Sequence, residues 1–119
     1  MKLAPALFAI TVLAAPGAVL AHHGWANQDE TKVTVLEGAI QAVRYQNPHA
    51  EIELTQDKQR WLVTLAPVSR MQERGATEAL LKVGQKVRVE GHKSLTPGRY
   101  EIKANNISIA GAEKINLRR

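Results

Sequence analysis

The chain has 119 residues, a formal net charge of +5 from 16 basic and 11 acidic side chains, and no cysteine. The lack of cysteine excludes disulfides, thiolate metal sites and cysteine nucleophiles, so stability must come from packing, helped where present by a ligand or metal. The cations are scattered apart from Arg118 and Arg119, which is typical of a solvated surface with at most a mild preference for anionic partners.

The first 21 residues differ in composition from all that follow. One cation, Lys2, precedes an apolar run over residues 3–15, and a proline-glycine pair then leads to the small residue Ala21. This order predicts a secretory signal peptide over residues 1–21. The apolar run is shorter than the ~20 residues of a membrane-spanning helix. We therefore expect a periplasmic or secreted protein, not stably inserted in a membrane, whose mature chain begins at His22.

The mature chain is predicted to be an arm followed by one small domain. Residues 22–31 are polar and irregular apart from Trp25, and residues 32–119 form the domain. The first β-rich stretch, residues 32–46, changes its apolar phase at Gly38, which predicts a bulge at that glycine.

Four further strands are predicted, over residues 49–55, 60–65, 85–92 and 100–109, with a short closing strand over 114–117. The fifth strand changes phase at Asn105-Asn106. Pro67 predicts a helix that ends before Gly75 and turns Met71 into the core. The alternation of apolar and charged residues predicts that His49 and His92 face outward.

Three strands, one helix and two strands, in that order, resemble the OB-fold. Residues 80–91 also resemble the approach to the fourth strand in many such barrels. The resemblance implies an all-β fold with small α content, in which a five-stranded barrel carries a short helix between strands 3 and 4. It does not define the chemistry, because this barrel supports many functions.

The four histidines are the main candidates for chemistry. His22 and His23 lie at the predicted mature terminus, His49 follows an Asn-Pro break, and His92 ends a predicted strand. The α-amine and ring Nδ1 of an N-terminal histidine chelate one metal ion, and one further imidazole completes a set of three nitrogens. Such donors favour Cu(II), so copper is the expected cofactor. The arrangement resembles the histidine brace of exported copper proteins, which include lytic polysaccharide monooxygenases and small periplasmic copper carriers.

In this resemblance His22 takes the place of the chelating terminus, and no motif identifies the second imidazole. His49 is the first choice, because it begins a strand and faces outward, where a folded-back arm reaches it. His92 and His23 are the alternatives. Each histidine also has an ordinary interpretation: a solvated pair at the terminus, a hydrogen-bonded turn at His49 and a surface residue at His92.

Two motifs extend the comparison beyond single residues. The sequence has His-His-Gly-Trp at residues 22–25 and Tyr-Gln-Asn-Pro-His at residues 45–49. The chain thereby resembles an uncharacterised family of small exported bacterial proteins, in which Tyr45 stands in for a more usual tryptophan. The resemblance spans nearly all of the mature chain and implies export, but no activity.

The favoured function is an exported copper carrier, buffer or sensor, with a metal ion and an envelope protein as its partners. The alternative is a metal-independent, OB-like ligand-binding module of the cell envelope. It would use the outward face of the second and third strands, where Arg44 and Arg60 suit an anionic or oligomeric ligand. Glu51 and Glu53 on the same face argue against nucleic acid.

An enzyme is the least favoured class. A copper monooxygenase needs a substrate platform, and so short a chain with two tryptophans and two tyrosines offers little of one. The serines have no evident base and orienting partner, which argues against a hydrolase triad.

Overall fold

The structure, a computed structural model, describes residues 27–119. The predicted signal peptide, the histidine pair and Trp25 lie outside the described residues. None of the helices formed within residues 27–119 has the length and hydropathy needed to span a bilayer. The strands are β1 Thr34–Arg44, β2 Glu51–Gln56, β3 Gln59–Thr64, β4 Lys86–Lys93, β5 Glu101–Ile109 and β6 Ile115–Asn116, and the helices are α1 Val68–Glu73 and a 3-10 turn at Glu78–Leu80.

The first five strands close into a barrel. Neighbours in the order β3-β2-β1-β4-β5 are antiparallel, and β3 pairs in parallel with β5 to close the ring, with Val63 opposite Ile102. The short β6 adds to the far end of β5. The predicted mostly-β, OB-like barrel with a helix between strands 3 and 4 is confirmed.

Alternating side chains fill the interior of the barrel, as the sequence pattern predicts. Among the described residues no buried side chain is polar or charged. Helix α1 contributes one fully buried residue, Met71, whose side chain belongs to the hydrophobic core of the barrel. Trp61 packs against the core while its ring meets Tyr100 edge-on at 5.5 Å. The largest fully buried side chains are Leu36, Ile40, Ile52, Leu54, Val63, Met71, Val89, Ile102, Ile107 and Leu117.

The bend in β1 does not lie at Gly38, so that prediction was wrong. Gly38 stays in register opposite Val87, and the pairing with β2 shifts between Ile40 and Ala42. The strand bends where its partner changes from β4 to β2. Gly38 has a different role, since a Cβ there would lie 2.7 Å from the carbonyl oxygen of Thr55.

The phase change predicted in β5 is confirmed. Burial alternates up to Ala104, breaks at Asn105-Asn106 and resumes at Ile107. The register with β4 shifts at the same level, between Glu90 and Gly91. Asn105 faces outward by the regular alternation and meets His92, whereas the irregularity leaves Asn106 outside as well, where it reaches Glu90.

Glu90 is the most strongly bound carboxylate of the barrel surface. It accepts hydrogen bonds from Lys114 Nζ at 3.0 Å, Asn106 Nδ2 at 3.0 Å and Arg88 Nη1 at 2.6 Å. These contacts, with the Lys114 bond first, lower the pKa of Glu90 from its ordinary 4.5 to about 2. Glu90 therefore stabilises the fold fully above pH 4.5, and this contribution is lost as the pH falls through about 2.

Glu90→Gln should accordingly lower the free energy of unfolding at neutral pH, and its deficit against the parent protein should close on acidification. Urea midpoints measured from pH 7 downward check this, with Glu113→Gln as an exposed control. A deficit that stays constant down to about pH 2 would contradict the assignment.

Candidate functional site

Two of the four candidate histidines fall within the described structure. His49 and His92 lie in it, whereas His22 and His23 lie outside residues 27–119. Within the part of the chain that is described, no three or more histidine, aspartate or glutamate side chains are grouped to hold a metal ion. The surroundings of the two described rings differ sharply in charge and in hydrogen bonding.

The His92 ring is held in one orientation by the segment before β1. Its Nδ1 lies 2.9 Å from the carbonyl oxygen of Asp29 and 2.8 Å from that of Lys32. Since carbonyl oxygens only accept, Nδ1 carries the proton and donates. In the neutral ring Nε2 accepts from the Asn105 amide at 3.2 Å, and it lies 3.7 Å from Glu30 Oε2. Only 12% of the side chain is exposed, so the interpretation of His92 as an ordinary surface residue was wrong.

The arm is attached to the barrel beside this ring. Gln28 forms a β-bridge with Ser94, and the backbone nitrogen of Asp29 donates to the carbonyl oxygen of Lys93 at 2.9 Å. The chain from residue 27 onward therefore continues the line of β1 along the end of β4. His22, the predicted mature terminus, precedes Gln28 by only six positions in the sequence.

His49 has a cationic environment instead. It lies just before β2 and lines a cleft of ≈ 370 Å³ together with Arg70, Lys103 and Arg118. Burial is the main cause that lowers the pKa of His49, followed by the positive charges of Lys103 and Arg70. Burial also lowers the pKa of Lys103, and the Arg118 charge adds to the effect. The positive charges of Lys103 and Arg70 also oppose the binding of a metal cation to the His49 ring.

Lys103 lies between the two rings. It pairs with His92 across β4 and β5, and it shares the cleft with His49. Glu30, the carboxylate next to His92, acts on Lys103 as well and opposes the lowering of its pKa. Both imidazoles thus lie near Lys103 on the outer side of β5. The carboxylate of Glu30 is beside His92, and the cations Arg70 and Lys103 are beside His49.

The motif at residues 45–49 has a structural role that the sequence did not reveal. Tyr45 Oη donates to the carbonyl oxygen of Ala76 at 2.7 Å, and Asn47 Oδ1 accepts from the backbone nitrogen of Val68 at 3.2 Å. The Asn47–Pro48 peptide between them is cis. These two hydrogen bonds fasten the β1–β2 loop to the first residue of α1 and to the segment after the helix, and His49 lines the same cleft as Arg70.

The outer face of β2 and β3, predicted as the anionic-ligand face of the alternative function, carries compensated charge. Arg44 Nη1 lies 3.5 Å from Glu51 Oε1, and Arg60 Nε contacts Glu53 Oε1. Each predicted cation is thus paired with a carboxylate on the adjacent strand. A second group of cations lies in the cleft beside α1, and its residues Arg70 and Lys103 were missed because only the closure of β5 on β3 brings them to His49.

The chain therefore forms a small OB-like barrel. Two partly buried imidazoles, those of His49 and His92, lie near Lys103 on its outer surface. The model of the Family of unknown function (DUF6152) matches residues 9–101, and the chain belongs to this family. No curated protein matches the chain. Membership of an uncharacterised family, which the sequence predicts, is confirmed, whereas the histidine motifs and the copper-site resemblance stay predictions.

Proposed function

We propose that the protein is an exported, periplasmic or secreted copper-binding protein that acts as a carrier, buffer or sensor. The α-amine and ring of mature His22 supply two nitrogens, and His92 Nε2 supplies the third. The observation that carries this proposal is the contact of His92 Nδ1 with two backbone carbonyl groups, that of Asp29 in the arm and that of Lys32 just after it. A ring whose Nδ1–H is held by a carbonyl uses Nε2 as its ligating nitrogen, a common arrangement among metal-bound histidines. In the metal-free structure this Nε2 accepts from the Asn105 amide, and copper would replace that hydrogen bond.

Charge supports His92 over His49 as the third ligand. The Glu30 carboxylate lies 3.7 Å from His92 Nε2, whereas Lys103 and Arg70 face His49. Asn105 Oδ1, beside the His92 ring, is buried and has no hydrogen-bond partner among the described residues. A bound ion with its water would satisfy this oxygen, which otherwise costs free energy.

The length of the arm is sufficient for His22 to reach this ring. Gln28 bridges to Ser94, which lies two residues, or roughly 7 Å of strand, from His92. The five residues before Asn27 extend over at most roughly 17 Å. The terminus can therefore fold back over Glu30 without releasing the attachment. As a carrier, the protein would receive or deliver its ion through an envelope partner.

The test compares protein that begins at His22 with the same protein after acetylation of its α-amine. Acetylation turns the amine into an amide that no longer ligates, so Cu(II) affinity measured against a competing chelator should fall by more than the roughly tenfold loss caused by removing an outer-shell partner. Affinity should also weaken as the pH falls through the histidine range near ~6.5, because the nitrogens must be deprotonated to bind. Equal affinity of the two proteins would end the proposal.

A matched pair of variants identifies the third nitrogen. His92→Gln should weaken copper binding and remove one nitrogen coupling from the Cu(II) electron paramagnetic resonance spectrum, whereas His49→Gln should change neither. Thermal unfolding of both variants without metal controls for damage to the arm. The reverse result would assign the ligand to His49 instead.

A further inference from the structure

We propose that the cleft between the start of β2, helix α1 and the carboxyl-terminal segment binds a phosphate-type oxyanion. The cleft has a volume of ≈ 370 Å³. Pockets for small ligands begin near ~300 Å³, so a phosphate with a small attached group fits. Apolar side chains complete the wall, and the polar residues that line the cleft are His49, Arg70, Lys103, Arg118 and Arg119.

The arginines of this cleft differ in their pairing from most of those elsewhere on the barrel. Four of the five arginines outside the cleft lie within 3.5 Å of a glutamate carboxylate, namely Arg44, Arg60, Arg88 and Arg99. The fifth, Arg74, donates Nη1 to the carbonyl oxygens of Asn116 and Arg118. Arg70, Arg118 and Arg119 form no ion pair with any residue from 27 to 119. No aspartate or glutamate is among the residues that line the cleft. The three guanidinium groups therefore have no carboxylate side chain beside them in the cleft, and an external anion would balance their charge.

The guanidinium groups retain donors for such an anion. Arg70 uses Nη1 to donate to the carbonyl oxygen of Leu117 at 3.3 Å, which fixes the side chain at the edge of the cleft. Arg118 Nη1 is shielded from solvent and has no hydrogen-bond partner in the described structure. A buried cationic N–H without an acceptor is unfavourable, and an oxyanion oxygen would satisfy it.

The two remaining polar groups respond to the same positive potential. Burial and neighbouring cations lower the pKa values of both His49 and Lys103. Arg70 acts on both groups, Arg118 acts on Lys103, and Glu30 is the acidic group that acts on Lys103 in the opposite direction. An anion in the cleft would favour the charged forms and raise both pKa values, so the ring of His49 is a built-in reporter of binding.

Phosphate is the oxyanion that these donors suit best. The planar fork of arginine matches two phosphate oxygens at once, and a lysine adds a compact charge. A free phosphate carries a charge of about −1.5 to −2 near neutral pH, which balances several cations better than a single carboxylate does, and a lipid phosphodiester carries one negative charge on oxygens of the same geometry. The phosphate can be free or can belong to a lipid headgroup, and the experiment distinguishes the two sources.

The experiment titrates inorganic phosphate into metal-free protein that begins at His22, while the C2 proton of His49 is followed by NMR across pH. Saturable binding at one site with a raised pKa of His49 is expected. Lys103→Gln and Arg118→Gln should each weaken binding at least tenfold. Arg60→Gln removes the same charge from the face of β3 and should leave binding unchanged. Arg118 lies outside every strand and helix, so its variant tests the site even if Lys103→Gln impairs folding.

Sedimentation with phosphatidylglycerol vesicles and with phosphatidylcholine vesicles separates the two sources. Capture by phosphatidylglycerol that free phosphate reverses assigns the site to a lipid headgroup, and phosphate binding without capture assigns it to a soluble phosphate. Any one of three results would overturn the proposal. They are the lack of saturable phosphate binding, a weakening by Arg60→Gln equal to that of the cleft variants, and an unchanged pKa of His49. Because no metal is present, none of these results depends on copper binding.

Discussion

Gly91→Ala should lower the free energy of unfolding by about 3 kcal/mol or more, which is a large part of the stability of a small domain. A Cβ at this position would lie 2.1 Å from the carbonyl oxygen of Lys103 and 2.8 Å from the Cα of Ala104. Both obstacles are backbone atoms of β5, so no side-chain rotation relieves the overlap. The two strands would have to separate where their register already shifts. Urea denaturation followed by circular dichroism measures the loss.

Gly98→Ala provides the matched control for this prediction. Gly98 has a positive φ of 79° in the β4–β5 turn, and a Cβ there would meet nothing within 4 Å. Its replacement should cost only about 1 kcal/mol of backbone strain. If Gly91→Ala were no less stable than Gly98→Ala, the close approach of β4 and β5 described above would be incorrect.

Met71→Ala should cost about 3 kcal/mol and loosen the cleft as well as the core. Met71 is fully buried and is the one buried residue of α1, so its side chain packs the helix against the core of the barrel. The same helix holds the carboxyl-terminal segment, because Arg74 Nη1 donates to the carbonyl oxygen of Asn116 at 2.8 Å. Amide hydrogen exchange should therefore quicken both in α1 and around Asn116.

Met71→Leu tests whether volume or shape decides this effect. The substitution keeps an apolar side chain of similar size, so we expect a loss below about 1.5 kcal/mol and near-normal exchange around Asn116. Faster exchange confined to α1 in Met71→Ala would show that the carboxyl-terminal segment is held by other contacts than the helix.

The two proposed sites occupy opposite sides of Lys103 and favour ligands of opposite charge. His92 has Glu30 and two backbone carbonyl groups beside it, whereas His49 has Arg70 and Arg118 across the cleft. Their separate tests use different ligands and different variants. Success or failure of one therefore leaves the other to be judged on its own measurement.

Features of the fold that depend on near neighbours in the chain could be predicted from the amino-acid sequence. Alternating apolar residues predicted the strands and the core, since side chains of a strand face opposite sides in turn. Pro67 and Gly75 marked the two ends of helix α1, and the paired asparagines of β5 marked its change of phase. Each of these signals acts within a few residues, where backbone preferences and periodicity are decisive.

The surroundings of the histidines could not be predicted in this way, because they depend on contacts between distant parts of the chain. Neither the parallel closure of β3 on β5, which brings Lys103 to His49, nor the contact of His92 with the Asp29 carbonyl is encoded in a local pattern. The sequence also gave no sign that Arg44 and Arg60 would be neutralised by glutamates across the strands. The charge around a ring depends on residues that are far apart in the chain and are brought together by strand pairing.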